Sequence, residues 1–477
     1  MNHPKKIWLL LTLLFCYGQG RAQDSSARRY IRDILVSGNR TVKTKIILRE
    51  IQFKAGDSLP ALTLVKELEQ ARRQVYNLSL FNEVRVSATA VSEKAVDVLV
   101  TVKERWHIYP VPQFQWVDRN FNEWWKTYHH SFDRVNYGIK FAHYNLTGRR
   151  DQLRVYFING YSRNYILSYS NPYFNKKLNR GISFYATYFQ NREVSYRSSY
   201  DNVLQFFPVT ASNSVKVTGD FIRHGFSIGG GYSIRKGLFT RQSVSINYTY
   251  ASVADSLLTA KYNPNYFGQR EAVSHKGYFD LAYSFSYSKL SNNSYPLSGL
   301  AAYAAVVKRG WGLSEGMEML SVEGGVDKYF DLKKNWYANV QAYAKVKVPF
   351  VTAYLNQRGL GYGEVFLRGL EYKVIDGVAY GLVKSTLKKK LYSFSIPFPF
   401  FPRILTKIPF TFFAKAYADA GYVYTRKRYD TYLSNRLLYS GGIGIDILTL
   451  YDVNFRFEYS LNQLGGRGLF FHTQNGF

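Results

Sequence analysis

The chain has 477 residues, with 63 Lys and Arg against 33 Asp and Glu, a formal net charge of +30, and a single cysteine, Cys16. No run of about 18 apolar residues that could form a transmembrane helix occurs, but aromatic residues are abundant, at 42 Tyr and 34 Phe. Such a charge excess suggests nucleic-acid binding, yet the sequence lacks a lysine-rich tail or basic helix and begins like an exported protein, which excludes that partner. Basic residues are expected instead in a lumen and in loops, some facing the phosphates of surface glycolipid.

Residues 1–22 have the pattern of a secretory signal peptide. Two lysines precede an apolar run over residues 7–15, and Gly20-Arg21-Ala22 offers small residues for cleavage before Gln23. Lipid attachment at Cys16 is the alternative, but the bulky Phe15 disfavours it. The mature chain then has no cysteine, so its core or its backbone pairing must hold it together without disulfides.

Residues 24–106 are predicted to form a small soluble domain. The pattern gives the order strand, helix, helix, strand, strand, with the helices at helical apolar spacing and the last strand alternating valines with other residues. The predicted elements are a strand over 30–37, a helix over 43–51, a second helix over about 62–78, and strands over 84–90 and 96–103.

Residues 107–477 change to a period of two. In the segment from Ser243 to Tyr250, Val, Ile and Tyr alternate with Ser, Asn and Thr, and several later segments repeat this pattern. Small polar residues on one face and aromatic residues on the other are what water inside and lipid outside require. The sequence therefore predicts a transmembrane antiparallel β-barrel of 16 strands. The strands start near residues 109, 134, 151, 163, 180, 223, 240, 275, 298, 316, 335, 378, 408, 436, 451 and 467.

A long loop is predicted at residues 350–377, without clear secondary structure. It is apolar and rich in glycine, so it is expected to fold back into the lumen, where Arg368 needs a carboxylate partner. The alternation of alanines over 414–420 turns Asp419 inward, which makes it the candidate. An arginine fork on a carboxylate can hold a loop tip in one pose.

These segments resemble the BamA/TamA superfamily. The early Val36-Ser37-Gly38-Asn39 and the later Asn77-Leu78-Ser79-Leu80-Phe81, with the element order, resemble a POTRA domain. Leu367-Arg368-Gly369-Leu370 resembles the family's Arg-Gly loop motif, although the family usually has an aromatic residue where Leu370 stands. Tyr417-Ala418-Asp419-Ala420-Gly421 resembles the strand motif whose Asp holds that Arg. The resemblance implies a loop-to-barrel clamp made of Arg368, Gly369, Asp419 and Gly421.

The resemblance also implies sites for polypeptide clients. The POTRA strand with Val84, Val86 and Ala88 is expected to accept a client segment by strand addition. A lateral seam between the first and last strands is marked by Pro110 and Pro112, which cannot donate ladder hydrogen bonds, unless these prolines only stiffen a linker. At the other side of the seam, the terminal Phe477 resembles the signal that assembly machinery reads.

Other chemistry is not expected. Gly229-Gly230-Gly231 is not followed by Gly-Lys-Ser/Thr, so it indicates bending of a strand rather than phosphate binding. His129 and His130 point to opposite faces of an extended segment, so they predict no shared metal site. Without a nucleophile elbow or an inward Ser, His and Asp set, we expect no enzyme, cofactor or metal.

The leading hypothesis is an assembly and insertion factor for β-barrel clients in the outer membrane of a Gram-negative bacterium, with the POTRA domain in the periplasm. A polypeptide secretion pore of the two-partner type and a passive channel are the alternatives. Expected partners are membrane lipid and glycolipid, unfolded client polypeptides and accessory lipoproteins.

Overall fold

The computed structural model describes residues 28–116, 132–208, 221–268, 272–312, 316–398, 407–426 and 431–474. The predicted signal peptide, the pair His129 and His130, and Phe477 lie outside these residues. Within the described residues, no helix is long and apolar enough to cross a membrane.

The N-terminal part forms a small α+β domain. Its sheet has the order β2-β1-β4-β3, in which β1 and β4 are parallel and the other pairs antiparallel. The elements are β1 (Arg28–Ser37), α1 (Thr44–Leu48), β2 (Ser58–Pro60), α2 (Ala61–Tyr76), β3 (Phe81–Ala90) and β4 (Ala95–Glu104). The predicted order is present with one addition, the short β2, which has no apolar alternation of its own and pairs with the first residues of β1.

One face of this sheet carries the core of the domain. Alternate valines of β4, at 96, 98, 100 and 102, are buried together with Ile46 and Ile47 of α1. The helix α1 ends at Leu48, earlier than the predicted residue 51. Beyond its end the chain turns, and Ile51 and Phe53 enter the same core.

The rest of the chain forms one 16-stranded sheet in which each strand is antiparallel to the next. Its strands are β5 (Ile108–Trp116), β6 (Val135–His143), β7 (Gln152–Gly160), β8 (Ser162–Asn171), β9 (Arg180–Asn191), β12 (Arg223–Lys236), β13 (Thr240–Val253), β14 (His275–Leu290), β15 (Gly299–Arg309), β16 (Met319–Lys333), β17 (Trp336–Val348), β20 (Ala379–Pro397), β21 (Lys407–Tyr424), β22 (Leu437–Leu448), β23 (Asn454–Asn462) and β24 (Arg467–Gln474). The prediction of 16 antiparallel strands is confirmed, and the largest error in a strand start is three residues, at β16 and β23.

Two short hairpins lie in the loops that leave the barrel on the side away from the N-terminal domain. One is formed by β10 (Val194–Ser198) and β11 (Leu204–Phe207), the other by β18 (Arg358–Leu360) and β19 (Ile375–Asp376). The second hairpin corrects the prediction for the loop at 350–377, which is not free of secondary structure. Residues at its two ends pair with each other and close the loop at its base.

The barrel strands separate a lipid face from a lumen face. On β21, Lys415, Tyr417 and Asp419 are buried, whereas the alanines between them are exposed. Large apolar side chains cover the outside of other strands, including Ile246 at 55% exposed and Ile443 at 63%. Apolar residues outside and polar residues inside define a transmembrane β-barrel of the outer-membrane type.

The barrel wall is uneven in height. Within the described residues, β6, β7 and β23 have nine residues each, whereas β20 has 19 and β21 has 18. At about 3.4 Å per residue, β6 is roughly 31 Å long and β20 roughly 65 Å. A strand of nine residues is at the lower limit for crossing a bilayer, and the wall at β20 and β21 projects well beyond it.

Candidate functional site

The loop between β17 and β20 enters the lumen and packs against the inner wall. Leu367 and Leu370 are buried together with Leu382 of β20, Val423 of β21 and Leu438 of β22. Val423 has the parity of Asp419 on β21, and Leu382 and Leu438 pair with Gly421, which also has that parity, so these side chains face inward. The apolar character of the loop, which would be unfavourable in water, is thereby explained.

Arg368 and Asp419 meet at the tip of this loop. The guanidinium donates from Nε to Asp419 Oδ2 at 2.9 Å and from Nη2 to Oδ1 at 2.5 Å, and the Arg368 backbone N–H donates to Oδ2 at 3.1 Å. Two further guanidinium N–H groups donate to Thr386 Oγ1 and the Ser385 carbonyl, and the guanidinium lies 4.0 Å from the Tyr417 ring centroid. With side chains 12% and 0% exposed, this is a buried ion pair.

Gly369 and Gly421, the glycines of the two motifs, allow the loop tip to lie close to the barrel wall. Gly369 has a φ of +85°, which other residues rarely adopt, and its carbonyl accepts a 2.7 Å hydrogen bond from Asn462 of β23. A Cβ on Gly421 would lie 3.1 Å from the Gly381 carbonyl oxygen and 3.3 Å from a methyl group of Leu367. Both glycines therefore let the loop tip lie flat against the wall.

Leu370 stands where the resembling family has an aromatic residue, and its side chain is only 3% exposed. Tyr372, two residues later, is 72% exposed, with its ring 5.7 Å from that of Phe470 on β24. The loop tip thus contacts the last strand as well as β21.

A second set of contacts, which the sequence analysis missed, fixes the other end of the loop. Asp376 accepts hydrogen bonds from Ser198 and Tyr362, and the Asn202 side chain donates to the Val374 carbonyl at 3.0 Å. Ser198 and Asn202 belong to the β10–β11 hairpin region. No sequence motif connects that hairpin to the loop, so only the fold could reveal the contact.

Below the loop tip, a buried ionic network lines the lumen. Lys415 of β21 contacts Asp446 of β22 at 2.5 Å and Glu458 of β23 at 2.6 Å, and Tyr295 donates to Asp446 at 2.8 Å. The sequence analysis did not name these residues, although their inward parity was a usable signal. They tie three of the last strands together beneath the loop.

Within the described residues, the first and last barrel strands are not paired with each other. In the described part of the chain, β5 pairs only with β6, and β24 only with β23. The two ends of the sheet nevertheless come close together. The ring of Tyr109 on β5 lies 6.5 Å from the ring of Tyr451, in the turn before β23. A seam therefore runs between β5 and β24.

Pro110 and Pro112 lie at positions of β5 where a backbone N–H would point to this seam, and proline has no N–H. The Tyr144 N–H donates to the His107 carbonyl at 2.9 Å, and the β5–β6 register continues from there without a shift. Because backbone polar groups alternate along a strand, odd-numbered residues of β5 bond to β6 and even-numbered ones face away. Pro110 and Pro112 are even-numbered and have no N–H. The seam edge thus lacks two donors, while Phe477, the third predicted seam residue, lies outside the described residues.

At the predicted client edge of the N-terminal domain, strand addition stays a prediction, but the side chains of the three predicted residues lie in the core. β3 is an edge strand of its sheet, but Val84 is 6% exposed, and Val86 and Ala88 pack against the core. Their side chains therefore stabilise the domain and do not face a client. The outward side chains are those between them, such as Arg85 and Ser87, and the edge itself consists of backbone groups.

Two ionic contacts hold the N-terminal domain against the barrel. Glu50 receives two hydrogen bonds from Arg235 at the end of β12, at 2.6 and 2.7 Å. Arg105 donates to Asp452, in the turn before β23, at 2.8 Å, and Tyr76 donates to the same carboxylate at 3.0 Å. These contacts lie on turns at the same end of the barrel, so the domain is docked across that end.

Comparison with known proteins agrees with this architecture. Residues 29–105 match the POTRA family, described as a surface antigen variable number repeat. CdiB from Escherichia coli has a similar fold, with a TM-score of 0.52 and 13% identity over 93% of this chain and 75% of that one. BamA from Haemophilus ducreyi lacking POTRA domains 1-3 gives a TM-score of 0.49 and 15% identity over 93% and 84% of the two chains. No curated protein matches the sequence.

The N-terminal domain is therefore a POTRA domain, and the barrel after it has the fold of CdiB. The predicted architecture, a POTRA domain followed by a 16-stranded barrel, is confirmed in the described residues. At 13% identity the similarity concerns the fold.

Proposed function

We propose that this protein assembles and inserts β-barrel clients in the outer membrane of a Gram-negative bacterium, with its POTRA domain in the periplasm. The role is non-enzymatic, since strand pairing rather than covalent chemistry would drive it. Its partners are unfolded client polypeptides, the surrounding lipid and glycolipid, and accessory lipoproteins.

The observation that carries the proposal is the unpaired seam. A sheet edge presents backbone donors and acceptors that can pair with another chain, and in the part of the chain that the structure describes β5 and β24 each keep one such edge. Pro110 and Pro112 weaken any ladder that would close β5 onto β24, so the barrel loses little by opening there. A client strand can then use the remaining groups of β5 as a template.

The uneven wall supports the same role. Next to the seam strands, β6, β7 and β23 have nine residues each, so the barrel wall is short where a client would enter the membrane. Local thinning of the bilayer is the expected response to such a short hydrophobic belt. A thinner bilayer reduces the barrier that the polar backbone of an unpaired client strand must cross.

The POTRA edge accounts for client binding, and the lumenal loop accounts for release to the side of the barrel. β3 has a free edge in the described residues, which can hold an extended client segment by strand addition. The loop occupies the lumen and the POTRA domain lies across one end, so a free path through the barrel is obstructed. This arrangement favours lateral release over passive diffusion.

A polypeptide secretion pore is the second candidate, and the loop contact is the observation in its favour. A buried ion pair is the only ionic contact of the Arg368 guanidinium among the described residues, so its release from Asp419 would weaken the hold on the tip and favour withdrawal from the lumen. In that case the seam would stay closed while the substrate crosses the lumen.

Site-specific photo-crosslinking in cells tests the proposal. A photoreactive residue at Phe114, on the lipid face of the seam strand β5, is expected to capture β-barrel clients during assembly. The control position is Ile139, which is also lipid-facing but lies on β6, paired on both sides. Capture at Phe114 alone supports the seam, whereas capture only at residues inside the lumen supports the secretion pore.

A further inference from the structure

Three potential metal ligands meet between the lumenal loop and the last two strands. They are Glu371 of the loop, Glu458 of β23 and His472 of β24, and one ligand atom from each lies within 4.8 Å of the others. The cluster joins the loop tip, three residues after Arg368, to the strand that borders the seam.

Glu371 lacks the partner that its burial requires. Its side chain is 10% exposed, and neither carboxylate oxygen has a hydrogen-bond partner within the described residues. The Nε2 atom of His472 is also without a hydrogen bond there. Because burial of an uncompensated carboxylate is unfavourable, Glu371 is either protonated or has a cation beside it, and the geometry of its neighbours favours the cation.

The distances fit metal ligands better than hydrogen-bond partners. His472 Nε2 lies 3.5 Å from Glu371 Oε1 and 3.5 Å from Glu458 Oε2. A charge-assisted hydrogen bond would be about 2.7–2.9 Å. Two ligands on one tetrahedral ion, with bonds of about 2.0–2.1 Å, are roughly 3.4 Å apart. The two carboxylates also repel each other unless a positive charge lies between them.

The surroundings orient the ligands and limit the affinity. Lys415 binds Glu458 Oε1 at 2.6 Å, which leaves Oε2 directed at His472. The ring of Phe366 is stacked on His472 at 5.7 Å. Arg456 is opposite His472 in the β23–β24 ladder, so its charge weakens binding of a cation. The site is therefore expected to bind its ion less tightly than a closed structural zinc site.

We propose that Glu371, Glu458 and His472 bind a divalent transition-metal ion of the zinc class. One imidazole nitrogen with two carboxylate oxygens suits such an ion, whereas magnesium and calcium prefer oxygen ligands alone. The ion would tie the loop tip to β24. Its effect on the seam rests on the proposed function, but the binding itself does not.

The test is zinc binding by the full-length protein in detergent, purified without a polyhistidine tag. Isothermal titration with Zn²⁺ should show one site, and Mg²⁺ should not compete. Loss of an outer-shell partner of a metal ligand costs about 10–100-fold in affinity. Because Glu371 and His472 are proposed as ligands themselves, Glu371→Gln and His472→Ala should each weaken zinc binding by more than about 100-fold. The matched controls are Glu364→Gln, exposed in the same loop, and His224→Ala, exposed on β12, and both should bind like the wild type.

Hydrogen–deuterium exchange supplies the second measurement. Zn²⁺ should slow exchange of loop residues 366–372 in the wild type and in the controls, but not in Glu371→Gln. Zinc binding that is unchanged by both ligand substitutions, or absent altogether, would overturn the proposal. Hydrogen–deuterium exchange of the loop that depends on the protonation of His472 and not on zinc would overturn the proposal as well. It would show that the imidazolium of His472 is the cation beside Glu371. Both readouts are independent of client assembly, so they stand even if the proposed function fails.

Discussion

Arg368 at the tip of the lumenal loop and Asp419 on β21 form a two-pronged ion pair that leaves the carboxylate side chain fully buried. Two further N–H groups of the guanidinium donate to β20, at Thr386 and the Ser385 carbonyl. The contact therefore fixes both the position and the orientation of the loop tip relative to two adjacent strands.

Loss of either partner should release the tip to a similar extent. Arg368→Ala and Asp419→Ala each leave a buried, uncompensated charge, which typically costs about 3–5 kcal/mol. The double variant should be no worse than either single one, because the coupling is already lost. Arg368→Lys should restore the contact only in part, since an ammonium cannot make both prongs.

Thiol labelling of Leu370→Cys measures this release, because Leu370 is 3% exposed in the closed loop. Labelling should accelerate at least tenfold in the single and double variants. Lys345→Ala, which breaks the lumenal pair of Lys345 with Glu323 away from the loop, is the control and should leave labelling unchanged. Strictly additive effects of the two alanine substitutions would show that Arg368 and Asp419 act separately.

Client binding at the POTRA edge should depend on backbone groups of β3. Val86→Pro removes a backbone N–H and disturbs the edge, so crosslinking of client segments to the domain should fall severalfold while the barrel still folds. Because Val86 also packs against the core, Val86→Ala is the matched control, which shortens the side chain but keeps the N–H. Equal losses in both variants, or normal client handling after deletion of the whole domain, would contradict the strand-addition mechanism.

The POTRA fold should weaken in acid through Glu104. Its burial acts to raise the pKa, but the neighbouring His107, with Nε2 at 3.7 Å from Oε2, and hydrogen bonds from Thr41 and from the backbone N–H groups of Val42 and Arg40 outweigh that effect and lower the pKa to about 2. A carboxyl whose pKa is lower in the folded state contributes stability above its unfolded pKa and loses it as the pH falls. The loss should therefore extend from about pH 5 down to about pH 2.

Glu104→Gln should remove this pH dependence and cost about 1–2 kcal/mol at neutral pH after solvent screening. Exchange protection of POTRA amides, corrected for the intrinsic rate at each pH, measures the effect in the full-length protein. Glu93→Gln alters an exposed glutamate of the same domain and should change nothing. An unchanged acid response in Glu104→Gln would mean that another group controls it.

Docking of the POTRA domain should depend on Glu50. Glu50→Gln leaves Arg235 without its carboxylate, with a typical cost of about 3 kcal/mol for such a buried site, and the domain should spend more time away from the barrel. Disulfide formation between Asn77→Cys and Asn293→Cys reports docking, because these asparagines are in contact across the junction. The rate should fall severalfold in Glu50→Gln and stay normal in Glu83→Gln, which alters an exposed side chain.

The sequence predicted the barrel well because each strand carries its own signal. The period of two tells lipid face from lumen face along a strand, which also placed Asp419 inward. The contact of Arg368 with Asp419 could be predicted, because a charged side chain in an apolar segment needs a partner of opposite charge. Three other contacts could not be predicted, because they depend on strand register and on docking between distant segments. They are the contacts of Asp376 with Ser198, of Lys415 with Asp446 and of Glu50 with Arg235.

The orientation of the POTRA edge was the least predictable part. The alternation of β3 marks a strand, but which face meets the helices depends on the whole domain, and that face proved to carry Val84, Val86 and Ala88. Likewise, Pro110 and Pro112 indicated a weak strand, but only the β5–β6 register shows that their donor-free positions face β24.

The most direct test of the account is a covalent lock across the seam. Phe114→Cys on β5 and Leu469→Cys on β24 place thiols on the lipid face of the two seam strands, and Phe114→Cys with Tyr137→Cys on β6 forms the control lock across an existing ladder. Client assembly should stop in the oxidised seam lock, return on reduction, and continue in the control lock. Full assembly activity with a completely formed seam disulfide would contradict the account.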